Sequence, residues 1–195
     1  MNIHESADTL HWFALSVYGN KVFAADEKLK SMGLETYIPV TTHYIEGKNG
    51  KPLAKKVPAV SRLMFVRTTK RRVLEVEKEV DMAVHVYRTL DTDVNKRKPI
   101  VIPNAQMHMF ILISSSGETG LEYFPSEKLT FKSGSKVRVI YGPLAGSVGY
   151  IKRIKGNRRF VVEVKGVCAI ATSYIPAQFL EKLPDDDMMD STQKD

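Results

Sequence analysis

The sequence has 195 residues, of which 26% are charged and 43% are hydrophobic, and it carries a formal net charge of +7. This length suffices for one large domain or two small ones, and the positive charge favours an anionic partner such as nucleic acid. The single cysteine, Cys168, excludes an internal disulfide framework and fits a reducing compartment. No apolar run approaches the roughly 20 residues of a membrane span, and residues 1–8 lack the pattern of a signal peptide. We therefore expect a cytoplasmic protein without a membrane segment.

The chain begins with a strand followed by a helix. Residues 11–18 are rich in aromatic side chains, and Trp12 and Phe13 would point to opposite faces of a strand. From Lys21 onward, apolar residues recur at helical spacing as far as Gly33, a typical helix stop. This pattern predicts an amphipathic helix of about three turns.

A hairpin and a buried strand come next. Residues 34–45 predict a strand interrupted by Pro39, and residues 57–66 predict a returning strand, with Asn49-Gly50 as the hairpin signal between them. Residues 63–66 are all apolar, so both faces of the strand are expected to be buried.

The second helix begins with an unusual charge pattern. Thr68 or Thr69 can cap it, and Lys70-Arg71-Arg72 open it. Cations at a helix start oppose the helix dipole by roughly several tenths of a kcal/mol. A local rule broken in this way hints at a functional role.

The rest of the first half completes an α+β domain. Residues 82–87 predict a strand, residues 91–99 a polar loop, and Asn104 can cap a third helix. Strands and helices in this order indicate an open sheet with helices packed on it, and we assign this domain to residues 9–113.

The second half predicts a small barrel. A Ser/Gly-rich segment marks a linker, assigned to residues 114–130. About five short strands follow within residues 131–183, enough for a small closed β-barrel. Residues 184–195 are an acidic tail, which we expect to be disordered.

The residues of the second half resemble the KOW motif of SH3-like barrels. The resemblance rests on Val137-Arg138-Val139, Gly142-Pro143-Leu144-Ala145-Gly146, Gly149 and Arg159-Phe160-Val161-Val162. The first half resembles the NGN domain of the NusG transcription elongation factors, through Trp12-Phe13-Ala14-Leu15 and residues 57–66. The resemblance implies an NGN α/β sandwich joined by a linker to a KOW barrel.

Two features bear on the kind of NusG-like protein. The sequences of residues 11–15 and 63–69 are similar to those of specialised paralogues of the UpxY type, which act as capsular-polysaccharide antiterminators. Ser61-Arg62-Leu63 stands where the housekeeping family typically has Pro-Gly-Tyr. The expected function is transcription antitermination on particular operons; the alternative is a KOW-type RNA-binding protein of the translation machinery.

The resemblance implies that the NGN domain binds RNA polymerase and suppresses pausing and termination. By motif position, the polymerase-binding residues are predicted to be Trp12, Phe13, Tyr44, Leu63 and Phe65, with Thr68 and Thr69 facing the other side of the polymerase channel. The alternative is that the apolar residues of this set belong to the core.

Two basic surfaces are candidates for contact with non-template DNA or nascent RNA. The first combines one amide and five cations at junctions of strand and helix, which adjacent strands would bring to one sheet edge: Asn20, Lys21, Arg67, Lys70, Arg71 and Arg72. The second is the surface of the KOW barrel, which could also receive a ribosomal protein or a termination factor: Leu144, Lys152, Arg153, Arg158 and Arg159. For both surfaces the alternative is an ordinary solvated charged face.

Nothing in the sequence indicates an enzyme. The five histidines are scattered, without the spacing of a zinc site, and residues 142–149 lack the Gly-Lys-Ser/Thr of a phosphate loop. Cys168 lies in an apolar run, which favours a buried structural thiol over a nucleophile. We expect no cofactor, no metal and a monomeric protein.

Overall fold

A computed structural model describes residues 9–47, 50–79, 84–125 and 134–184. The chain is divided into two compact units, Met1–Met107 and His108–Asp195, and the division falls inside helix α3, Asn104–Ser114. The predicted acidic tail lies almost entirely outside the described residues.

The N-terminal unit is built on a four-stranded antiparallel sheet in the order β2-β5-β1-β6. Its strands are β1 His11–Val17, β2 Glu35–Tyr37, β5 Leu63–Thr68 and β6 Val84–Val86. Helix α1, Val22–Ser31, follows β1, and helix α2, Lys70–Glu79, follows β5. The two predicted helices and the predicted central strand are therefore confirmed.

Alternation along the two central strands builds the core of this unit. Phe13, Leu15 and Val17 of β1 form one buried cluster with Met64 and Val66 of β5. The helices supply the other half of this cluster, through Val22, Ala25, Leu29, Val73 and Val76. Trp12 and Ala14 of β1 and Leu63 and Phe65 of β5, which alternate with these residues, are buried as well, which confirms that β5 is covered on both faces.

Two separate hairpins extend the N-terminal unit. In one, β3 Val40–Glu46 pairs with β4 Pro52–Pro58; in the other, β7 Arg88–Asp91 pairs with β8 Lys96–Pro99. The second hairpin covers residues 91–99, for which a loop was predicted. The loop prediction was wrong because both strands are polar and mostly exposed, so no apolar alternation marks them.

The C-terminal unit contains a six-stranded antiparallel sheet in the order β14-β10-β11-β12-β13-β9. The strands are β9 Glu122–Pro125, β10 Ser135–Val139, β11 Val148–Ile154, β12 Asn157–Val164, β13 Cys168–Ala171 and β14 Leu180–Lys182. Gly149 allows β11 and β12 to approach, because a Cβ there would lie 2.5 Å from the carbonyl oxygen of Val161. The closed form of the barrel stays a prediction.

One strand of this sheet lies inside the predicted linker. Residues Glu122–Pro125 form β9 and pair with β13, where Phe124 packs against a buried cluster that includes Val161 and Ala169. The Ser/Gly composition that suggested a linker ends before this strand. Among the described residues, no helix is long and apolar enough to cross a membrane.

Candidate nucleic-acid interface

The residues predicted to form a basic surface at one sheet edge lie at two opposite ends of the N-terminal sheet. β1 and β5 are antiparallel, so that Ser16 near the end of β1 pairs with Leu63 at the start of β5. Asn20 and Lys21 therefore lie towards the start of β5, whereas the other four follow towards its end: Arg67, Lys70, Arg71 and Arg72. A strand of this length spans about 20 Å. The prediction of one edge was wrong because it ignored the direction of the strands.

At the α2 end, carboxylates neutralise most of the predicted cations. Arg67 lies 3.0 Å from Glu35, and Arg71 lies 2.9 Å from Glu75. Arg72 lies 2.9 Å from a carboxylate oxygen of Glu79 and 3.2 Å from one of Glu75.

These contacts also explain the unusual start of α2. The hydrogen bonds from Arg71 and Arg72 lower the pKa of Glu75, and those to Glu79 and Glu75 raise the pKa of Arg72. Thr69 caps the helix, because its Oγ1 accepts the Arg72 backbone N–H at 3.1 Å. The cations at the start of α2 are thus offset within the helix itself. In the described part of the chain, Lys70 is the member of this group without an ion pair.

At the Asn20 end, the structure forms a basic groove that the sequence did not reveal. A cavity of about 480 Å³ separates the start of α1 from the β3–β4 hairpin. The lining side chains that can carry positive charge are His43, Lys55, Lys56 and Arg62, with Asn20 and the partly exposed ring of Phe23 beside them. We call this surface the hairpin groove. Within the described ranges, neither lysine of the groove makes an ion pair.

Register explains how the groove acquires its charge. His43 of β3 lies directly opposite Lys55 of β4, so the two side chains share one face of the hairpin. The sequence signal that could have found them is the hairpin turn at Asn49-Gly50, from which the two strands can be paired outward. Fixing which residues pair requires the observed register, and residues 48–49 lie outside the described residues.

Arg62, which lines one wall of the groove, has an unusual backbone conformation. Its φ is +64°, in the left-handed region that disfavours residues with a side chain, and the φ of Asn20 is +57°. The guanidinium carbon of Arg62 lies 4.8 Å from the ring centroid of Tyr18, and that ring meets His85 edge-on at 5.7 Å. The side chain of Arg62 is therefore oriented by an aromatic neighbour in a position where the backbone would favour glycine.

The predicted polymerase anchors are mostly inside the molecule. Side chains of five of the seven are buried: Trp12, Phe13, Leu63, Phe65 and Thr68. For the apolar residues among them the structure agrees with the alternative that they belong to the core, because both faces of the β1–β5 pair are covered. Tyr44 is 74% exposed, and Thr69 is partly exposed while it caps α2.

Exposed apolar side chains lie on both faces of the β3–β4 hairpin, with Tyr44 on one face and Ile45 on the other. Ile45 and Leu53, which pair across the two strands, are 44% and 57% exposed. We call these three residues of the two faces, Tyr44, Ile45 and Leu53, the hairpin apolar patch. Aromatic and aliphatic side chains of this kind are common anchors of protein interfaces.

The predicted residues of the C-terminal unit divide into three groups. Leu144 is buried, so its predicted role as a surface contact was wrong; its side chain belongs to the interior side of the Gly142–Gly146 turn. Lys152 and Arg159 are largely covered and lie near carboxylates, whereas Arg153 and Arg158 are exposed.

The described residues hold no group of three or more side chains that could bind a metal ion. Cys168 is buried in β13, and burial raises the pKa of its thiol. A thiol of this kind is a poor nucleophile because its thiolate is disfavoured.

Comparison with known proteins gives the family. A family model described as transcription termination factor NusG matches residues 10–111, more than half of the chain. The chain belongs to the NusG family. The matched span contains the hairpin groove and the hairpin apolar patch, so both surfaces are parts of the NusG-like region of the chain.

A solved structure gives a looser likeness. The structure titled "Domain interaction in Thermotoga maritima NusG" is similar to 90% of this chain and 98% of that chain, with 17% sequence identity and a TM-score of 0.45. No match was found among the curated proteins. Family membership indicates regulation of transcription elongation or termination.

Proposed function

We propose that this chain is a non-enzymatic transcription antiterminator of the UpxY type, which binds RNA polymerase and suppresses pausing and termination on particular operons. The observation that supports the proposal is the NusG family match over residues 10–111, almost the full length of the N-terminal unit. A KOW protein of the ribosome has no need of such a unit, so the match favours transcription over translation.

Polymerase contact is assigned to the hairpin apolar patch. Tyr44 and Leu53 are large, exposed and apolar, and they project from a two-stranded hairpin whose residues are mostly accessible. Burial of such side chains against a partner releases roughly 1.5–3 kcal/mol for each fully covered residue.

Nucleic-acid contact is assigned to the hairpin groove. Lys55, Lys56 and Arg62 can neutralise phosphates, and the ring of Phe23, 40% exposed, offers a surface on which a base can stack. Cations beside an exposed aromatic ring are typical of proteins that bind single strands. The groove therefore fits a single strand, such as non-template DNA exposed in a transcription complex.

The polymerase assignment is tested by capture of the full-length chain on core RNA polymerase. The Y44A/L53A variant is expected to bind at least about tenfold more weakly, because loss of each anchor side chain costs on the order of 1 kcal/mol and the variant removes two. The matched control is Leu90→Ala, which removes an apolar side chain 56% exposed on the β7–β8 hairpin. Equal binding of both variants and the wild type would refute the assignment.

The functional proposal itself is tested by transcription through a terminator in vitro and by genome-wide occupancy. Increased read-through, with occupancy confined to a few long operons, is the expected result. Uniform occupancy would instead indicate a general elongation factor. Cosedimentation with ribosomes, without polymerase binding or any effect on read-through, would favour the translation alternative and overturn the proposal.

A further inference from the structure

The β11–β12 hairpin of the C-terminal unit places like charges opposite one another twice. Arg153 pairs with Arg158, and the preceding pair is Lys152 with Arg159. Like charges directly opposite on neighbouring strands are destabilising. Two such pairs in succession need either a neutralising partner or a function.

The two pairs project from opposite faces of the hairpin and differ in their surroundings. Lys152 lies 3.5 Å from Glu163, and Arg159 lies 2.9 Å from Glu122, so carboxylates neutralise this face. Arg153 and Arg158 are both exposed, and within residues 134–184 and the other described ranges neither makes an ion pair. The ion pairs of the fold therefore account for Lys152 and Arg159, but they do not account for Arg153 and Arg158.

The turn of the hairpin carries a further cation, Lys155, whose ammonium lies on the side of the neutralised pair. Lys155, 75% exposed on its side chain, has a φ of +49° and is followed by Gly156 at +83°, values that suit a tight two-residue hairpin turn. Its ammonium lies 3.5 Å from Glu122, a carboxylate already engaged by Arg159.

The surroundings of the exposed pair favour a phosphate ligand over a protein. On the same face the next pair along the strands is Ile151 with Phe160, of which Phe160 is buried and Ile151 is only partly exposed. Protein interfaces are usually centred on anchors packed in desolvated pockets, and among the described residues no large apolar side chain beside this pair is exposed to form such a centre. Guanidinium groups instead match phosphate oxygens in charge and in planar geometry.

We propose that Arg153 and Arg158 bind the phosphodiester backbone of a single-stranded nucleic acid. This site lies in the C-terminal unit, goes beyond the proposed function and does not depend on the hairpin groove. Loss of two phosphate contacts is expected to weaken binding about tenfold near 0.15 M salt and to reduce the slope of log K against log salt by roughly 1.4.

The test measures binding of the full-length chain to fluorescein-labelled oligouridylate and to the DNA strand of matching length, by anisotropy over a range of salt concentrations. R153A/R158A is compared with K165A/K182A, which removes the same charge from exposed positions of the same unit. Weakening confined to R153A/R158A, with either strand, supports the site and shows which strand it takes. Equal effects of the two variants, or none, would overturn it.

Two further variants separate this result from folding defects and from the hairpin groove. R153K/R158K keeps both charges and is expected to retain the salt slope, whereas R153A/R158A is expected to melt at or above the wild-type temperature because the repulsion is removed. K55A/K56A, measured in parallel, reports on the groove alone. If K55A/K56A weakens binding and R153A/R158A does not, the groove stands and the second site is refuted.

Discussion

Arg62 offers a perturbation in which backbone strain and side-chain function can be separated. At φ +64°, a residue with a Cβ carries a cost of roughly 1–2 kcal/mol, which glycine avoids. The contact of the guanidinium with the Tyr18 ring returns about 0.5–1 kcal/mol at an exposed site. The wild-type residue is therefore held at a small net cost.

Two substitutions divide these contributions. Arg62→Ala loses the ring contact and keeps the strain, while Arg62→Gly loses the contact and relieves the strain. After the extra unfolded-state entropy of glycine is subtracted, roughly 0.5–1 kcal/mol, Arg62→Gly is expected to be about 0.5–1 kcal/mol more stable than Arg62→Ala. Urea unfolding of both variants measures this difference.

The affinity for a single DNA strand is expected to depend on the side chain of Arg62 and not on its backbone strain. Both variants remove the guanidinium from the hairpin groove, so both are expected to lose the same affinity for a single DNA strand, a few-fold near 0.15 M salt. Wild-type binding by Arg62→Gly would refute the role of Arg62 in the groove. Equal stability of the two variants would refute the argument from strain.

Two other predictions concern the partly buried Glu77 and the buried Cys168. Glu77 accepts hydrogen bonds from Arg88 at 2.9 Å and from the Val86 backbone at 2.9 Å, so Glu77→Ala is expected to cost about 2 kcal/mol in the free energy of unfolding. Glu75→Ala is expected to cost less, because the Glu75 carboxylate is more accessible to solvent. Arg88 lowers the pKa of Glu77, so this stabilisation is present above the unfolded pKa of about 4.3 and is lost as pH falls through the folded value; equal acid unfolding of wild type and Glu77→Ala would contradict it. Cys168 should react with a thiol reagent at the rate of unfolding, and rapid labelling of the native chain would contradict its burial.

Local patterns in the sequence determined the secondary structure of the N-terminal unit well. Val73 and Val76, three positions apart and so close to one helical turn, mark the buried side of α2, and Thr69 before the helix is the observed cap. The run of apolar residues 63–66 correctly indicated a strand buried on both faces. These features depend on residues close in the chain, which is why composition and periodicity suffice to find them.

The same patterns could not separate core from surface among the anchors. Phe65 and Tyr44 are both aromatic residues in predicted strands, yet one is buried and the other is 74% exposed. The difference arises because β5 is a central strand covered on both sides, whereas β3 pairs only within its own hairpin. Residue type alone carries no information about that coverage.

The sequence by itself determined the helices and the central strands of the N-terminal unit, together with the resemblance to the NusG family that the family match supports. The tertiary structure decided which charges are available and where they meet. Antiparallel pairing separated Asn20 from Arg67 by the length of a strand and brought Asn20 to Lys55, thirty-five positions away in the chain. Ion pairs with Glu35 neutralised one predicted cation, while the opposed pair on the β11–β12 hairpin was left exposed. Strand direction, register and pairing partners are set by contacts distant in sequence, and a functional surface made of such contacts appears only in the folded chain.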